Sequence, residues 1–115
     1  MDSSESTLIA INPVLADRVI EFEEWLRSVV VPAMNEHRPE LKGRWRVLRA
    51  TESDDEVVVY AFVCDGGTTQ DWDLLPILED ALGPAGAERA LATFRDMLQQ
   101  DQQGWFFTPM HFNGA

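Results

Sequence analysis

Two histidines, one cysteine, one tyrosine and four tryptophans carry most of the reactive or recognition chemistry in this 115-residue chain. Tyr60 lies inside an apolar run (VVVYAFVC) and could donate a proton or a hydrogen bond. Asn12 or Arg49 could hold the developing oxygen of an enolate or phenolate beside it. His111, at the end of the last apolar run, could accept a proton near neutral pH. Tyr60, His111 and Asn12 are therefore the catalytic candidates. Trp45, Trp72, Trp105 and Phe107, with Arg49 among them, form the candidate binding set, because flat rings suit a flat aromatic molecule. The same rings would serve core and interface packing equally well. His37 sits in the polar segment Asn35-Glu36-His37-Arg38 and reads as a solvated loop residue, and Cys64, on an apolar strand, reads as inert core.

Several kinds of chemistry have no residues to carry them. One cysteine and two distant histidines fit no familiar zinc spacing. Asp65-Gly66-Gly67 is a turn signal that lacks the patterns of a phosphate-binding loop, and no Gly-x-Ser-x-Gly elbow occurs. With 20 acidic and 9 basic residues the formal charge is −11. Nucleic acids and anionic membrane surfaces recruit Lys and Arg, so neither is an expected partner. No apolar run approaches the ~18 residues of a membrane span. The acidic, serine-rich start is unlike a signal peptide, and a lone cysteine suits a reducing compartment, so a cytoplasmic location is expected.

The elements that would position these residues follow from periodicity. Leu8 to Ile11 reads as a strand ended by a turn at Asn12-Pro13. Val19, Phe22, Leu26, Val29 and Ala33 form the stripe of an amphipathic helix that Pro32 should kink or end, with 35–42 irregular and Gly43 its exit. Arg44 to Thr51 and Val57 to Cys64 read as two strands of an antiparallel hairpin joined by a polar turn. Asp71 to Leu82 is helical. Gly83 stops that helix and Pro84 restarts another, which carries Ala87, Leu91, Phe94 and Leu98 and ends at 101–104. A last strand spans Trp105 to Met110. The order predicts an α+β, ferredoxin-like split βαββαβ domain with a four-stranded antiparallel sheet. Both helical crossovers lie on one face, the second broken at Gly83-Pro84.

Alternate positions of a strand face opposite sides of its sheet. In 57–64 the odd set (Val57, Val59, Ala61, Val63) and the even set (Val58, Tyr60, Phe62, Cys64) are both apolar, and the last strand is no different. Helices cover one face only, so the other calls for a second subunit. Six exposed large side chains would forgo on the order of 10 kcal/mol of burial, comparable to the net stability of a domain. A two-fold homodimer is the expected answer.

The run Phe22-Glu23-Glu24-Trp25, Pro32 seven positions after that tryptophan, and Gly43 leading into Arg44–Arg49 resemble the dimeric α/β-barrel superfamily, nearest its antibiotic-biosynthesis-monooxygenase and EthD-like groups. The ending Phe107-Thr108-Pro109 resembles other members, including plant polyketide cyclases. The acidic, serine-rich stretch 1–7 is expected to be a disordered lead-in, and the resemblance implies a dimeric α/β-barrel domain over 8–112. In that architecture two sheets pack face to face, and each subunit keeps an apolar pocket between sheet and helices. It also implies cofactor-independent oxygenation, cyclisation or isomerisation of an aromatic or polyketide-like molecule, with no cofactor or metal. One departure weakens the transfer. EthD-like sequences often carry a histidine two residues before the helix-ending proline, where this chain has Val30. The alternative is a non-catalytic homodimer that binds a small apolar ligand or serves a stress role. Fold by itself does not choose between them.

Overall fold

In the computed structural model, which describes residues 6–114, β1 (Thr7–Leu15) runs down the middle of a four-stranded antiparallel sheet. Its neighbours are β3 (Val57–Asp65) on one side and β4 (Gln103–Phe107) on the other. β2 (Trp45–Arg49) closes the hairpin with β3 at the far edge, giving the order β2-β3-β1-β4. The first crossover is a continuous helical rod of α1 (Val19–Trp25), a π-turn (Leu26–Val30) and α2 (Val31–His37). The second is α3 (Leu74–Asp96). This is the expected split βαββαβ arrangement.

Several local expectations are corrected, each for a backbone reason. β1 starts at Thr7 and does not turn at Asn12-Pro13 but continues to Leu15. The carbonyl of Pro13 accepts from the Gln99 N–H, on the side away from β3. In a strand a residue's nitrogen points the same way as its carbonyl. The β4 ladder has ended by then, at Ile11 opposite Gln103, so no strand partner loses a donor there. Of the expected lead-in, Thr7 is thus strand, and 1–5 lie outside the described residues.

Pro32 does not end the first helix. The π-turn before it lets the Val31 N–H reach back five residues to the Leu26 carbonyl, and Pro32 then occupies the first turn of α2. Widening the turn accommodates a residue that would otherwise clash with the preceding turn. The segment 35–42 is accordingly not irregular throughout: α2 runs to His37, and a 3-10 turn covers Pro39–Leu41. α3 begins at Leu74, later than expected, because Asp73 caps it by accepting from the Leu75 N–H at 3.1 Å. It ends earlier, at Asp96. The break at Gly83 is present, with φ 77° and ψ 166° before Pro84. β4 is shifted toward the N-terminus, since Phe107 pairs with Thr7, where the described part of the partner strand begins. Among the described residues, Thr108 to Met110 join no ladder.

Register assigns the two faces. Leu8, Ala10, Asn12 and Val14 of β1 share a face with Val58, Tyr60, Phe62 and Cys64 of β3, and both helices pack there. Phe22, Val14, Ile77, Leu78 and Met97 are fully buried in this core. The full burial of each large apolar side chain is worth about 1.5–3 kcal/mol. A salt bridge at 2.9 Å from Arg38 to Asp80 ties α2 to α3. On the other face lie Ile9, Ile11, Val59, Ala61, Val63, Leu48, Trp105 and Phe107, with Arg46 among them, and of these Leu48, Trp105 and Phe107 are exposed. The expectation of two apolar faces and helices for one therefore holds.

Candidate functional site

Between the helix-bearing face of the sheet and α3 lies a cleft of about 740 Å³. Leu8, Ala10, Phe62 and Phe106 form its sheet wall, and Leu91, Phe94 and Leu98 its helix wall. The cleft can open here because β4 presents Gly104 opposite Ala10, so no side chain fills the space between sheet and helix. Phe62, Cys64, Trp72 and Leu74 also belong to a narrow inner chamber of about 50 Å³, completed by Leu26, Val30, Met34 and Trp45. The chamber walls are apolar, and the polar groups of the cleft, Thr69, Asp73, Arg95, Asp101 and Gln102, belong to α3 and the loops flanking it.

Trp72 stands where cleft and chamber meet. Its indole Nε1 donates to the Gly66 carbonyl at 2.7 Å. Gly66 and Gly67 both have φ of 75°, a left-handed conformation that glycine adopts freely. A Cβ on Gly67 would come within 3.0 Å of the same indole nitrogen and of the Asp71 carboxylate. The Asp65-Gly66-Gly67 turn thus holds an aromatic wall in position. The Cys64 thiol beside it is pushed up to about 11 by burial and then by the nearby Asp65 charge, so it is a protonated, weakly nucleophilic wall group at neutral pH. Val30 lines the chamber, so where EthD-like sequences offer a histidine this pocket presents only methyl groups.

Tyr60 and Arg49 come together, but not at the cleft. The Tyr60 hydroxyl donates to a Glu23 carboxylate oxygen at 2.5 Å, and Arg49 reaches the same oxygen at 3.3 Å. Burial, then the Glu23 hydrogen bond and charge, push the phenol up to about 12. The Phe22 ring packs on it at 4.7 Å. Tyr60 lines neither the cleft nor the chamber, so its proton is committed to a structural bond between β3 and α1.

Asn12 is the fully buried polar side chain of the core among the described residues. Its Nδ2 donates to the carbonyls of Ala10 (3.1 Å) and Tyr60 (3.2 Å), and its Oδ1 accepts from Gln102 Nε2 at 2.7 Å. Asn12 therefore touches the cleft through Gln102. Trp45 and Trp72 are in the chamber walls. Trp105 borders the cleft from the β4 edge, while register puts it opposite Ile9 on the outer face, and Phe107 follows it there opposite Thr7. His111 is exposed in the segment after β4 and His37 ends α2; neither lines the cleft.

Three residues have roles that the sequence did not single out: Glu23, Arg95 and Gln102. Glu23 read as one of several acids on the polar side of a helix. Gln102 sits in a run of glutamines and aspartates, and Arg95 on the polar face of a helix, with no spacing to mark either. Among the described residues Arg95 makes no ion pair. No described helix is long and apolar enough to cross a membrane, and no three described His, Cys, Asp or Glu side chains gather as a metal site.

No family model matches the sequence, and no curated protein is similar enough to it to count as a match. Solved structures do match. An antibiotic biosynthesis monooxygenase is 11% identical with a TM-score of 0.60, over 92% of this chain and 99% of that one. A candidate antibiotic biosynthesis monooxygenase from Nitrosomonas europaea is 15% identical with a TM-score of 0.54, over 92% and 99%. An uncharacterized NIPSNAP domain protein from Burkholderia xenovorans is 12% identical with a TM-score of 0.56, over 93% and 96%. At such identities the likeness speaks of fold, and end to end the chain has the ferredoxin-like α+β fold of proteins named as antibiotic biosynthesis monooxygenases.

Proposed function

We propose that the protein is a homodimeric small-molecule enzyme that takes an aromatic or polyketide-like compound into the cleft and oxygenates, cyclises or isomerises it without a bound cofactor. The observation that carries this reading is the cleft itself. It offers about 740 Å³ of mostly apolar wall, with an indole at its inner end and, among its polar groups, Gln102, Asp73, Asp101 and Arg95, which makes no ion pair among the described residues. Apolar walls strip water from a flat ligand, and a cation then favours its acidic oxygen as an enolate or phenolate. Such an anion is already reactive, toward dissolved dioxygen or toward its own carbonyl groups, so the protein has little left to supply. The neighbours' names point the same way, but they describe those proteins and not this one.

A second reading rests on a specific observation. The phenol of Tyr60 is tied to Glu23 and His111 stands away from the cleft, so no titrating donor lines the walls except the acids, Arg95 and the protonated Cys64 thiol. A carrier of apolar ligands would look the same. One experiment separates the two. The protein is titrated with a panel of hydroxylated polycyclic aromatics while the tryptophan emission is followed. The binders are then incubated in air and analysed by mass spectrometry. Saturable binding with a new product, one oxygen richer and two hydrogens poorer, dehydrated or isomeric, supports the enzyme. Binding with every compound recovered unchanged supports the carrier. A panel in which nothing saturates sinks both.

A further inference from the structure

Asn12 is an expensive residue to keep in a dry core. Its amide has no access to solvent, and an unsatisfied buried amide costs about 1–3 kcal/mol. Its orientation is dictated by its surroundings. Two backbone carbonyls, Ala10 and Tyr60, face one end of the amide, and carbonyls only accept, so that end must be the Nδ2 donor. The other end is therefore Oδ1, and the Gln102 group facing it at 2.7 Å must be the Nε2 donor. This chain of logic fixes Gln102 in turn. With one N–H of its NH₂ given to Asn12, Gln102, which lines the cleft, is fixed in orientation and keeps its acceptor Oε1 and its second N–H for an occupant.

We infer that Asn12 is a positioning residue that locks Gln102, and that Gln102 selects cleft ligands bearing a hydroxyl donor over the same ring system with that donor removed. The inference rests on the cleft being the ligand site, and it adds which functional group the site reads. A free glutamine rotates and offers donor or acceptor alike, so it discriminates little. A glutamine pinned through one N–H of its NH₂ can no longer swap its two ends, so Oε1 stands as a fixed acceptor. A phenol or enol then makes a hydrogen bond that a methyl ether cannot, and the ether leaves Oε1 desolvated without a partner.

The test uses 1-naphthol and 1-methoxynaphthalene as matched probes on the full chain, with affinity read by tryptophan emission. The native protein is expected to prefer the naphthol by about fivefold or more, the size of one net hydrogen bond. Gln102→Leu is expected to abolish the preference, through weaker binding of the naphthol and no loss for the ether. Gln102→Glu keeps an acceptor but has no NH₂ to give Asn12. It is expected to lose most of the preference as well, a result that acceptor strength by itself would not produce. Both variants take from the buried Asn12 oxygen its donor, a cost of about 1–3 kcal/mol, so each is first checked for native circular dichroism and cooperative unfolding. Should native protein bind both probes equally, the inference fails and the ligand site stands. Preference retained in Gln102→Leu, or in Gln102→Glu, also overturns it. If neither probe binds, the cleft is not a site for flat aromatics and both readings fall together.

Discussion

Tyr60 is the chain's one tyrosine, so its ionisation can be read spectroscopically without interference from another phenol. Burial and Glu23 raise it from its ordinary value of 10.0 to about 12. The sign follows: between those values the folded protein keeps a proton that the unfolded chain has released. Its contribution to stability is complete below pH 10 and declines as pH climbs toward 12. The phenolate absorbance of the folded protein is expected to develop only above pH 11, and an ordinary titration near 10 would contradict the Glu23 bond. Tyr60→Phe is expected to cost about 1–2 kcal/mol in urea unfolding, since Glu23 loses a donor but keeps Arg49 and partial hydration. Ligand affinity in the cleft should not change, because the hydroxyl lies outside it. The sequence showed Tyr60 as the most chemically able residue in its strand, and it is, but for holding an element. What periodicity could not convey was its partner, an acid 37 positions away on a helix whose whole polar side is acidic. Asn12 was legible as a candidate to hold an oxygen, but as part of a turn rather than as a strand residue facing the core. Gln102 was not, because nothing local marks one glutamine in a polar segment.

At the scale of elements, composition and spacing gave the order of strands and helices and the break in the second crossover. The misreadings were at prolines. Pro13 and Pro32 were taken as ends because a proline removes a donor. In both places the donor was dispensable, at Pro13 because no strand lies on that side and at Pro32 because a π-turn precedes it. Those reasons depend on neighbours distant in sequence. Gly83 was readable because its requirement is local: a φ of 77° suits glycine regardless of what packs around it. A Cβ there would meet nothing within 4 Å, so the cost of Gly83→Ala is purely conformational. The variant is expected to lose about 1 kcal/mol in denaturant unfolding with an unchanged slope. An equal or higher stability would show that the break between the two halves of α3 is not needed. Gly67→Ala makes the contrasting case, adding contact at 3.0 Å to a similar φ. It should cost more and should also shift the emission of Trp72, the indole it would press against.

For the whole molecule, the decisive feature is the sheet face that the chain leaves bare. Trp105 is 53% exposed, Phe107 49% and Leu48 47%, and Ile9, Ile11 and Ala61 lie between them. A second copy turned about a two-fold axis presents the same residues to these, so the patch is complementary to itself. Each copy also carries a formal charge of −11, so approach is opposed at long range while contact is favoured at short range. Added salt screens the first and strengthens the second, and the pairing should therefore tighten as ionic strength rises. In sedimentation the native chain is expected at twice its 13.0 kDa. Trp105→Glu with Phe107→Glu places four new charges across one small interface. Association should weaken by at least about a hundredfold, bringing the particle back to a single copy. Neither side chain is part of the buried core, so helical content should be retained by circular dichroism, which separates lost pairing from lost folding. Trp105 also borders the cleft. If pairing braces that edge, the double variant will bind flat ligands more weakly, whereas Leu48→Glu, on the far edge strand, will weaken pairing with the cleft wall intact. A native particle that stays at one copy at every salt and protein concentration would leave the bare face unexplained and remove the dimer from the proposal.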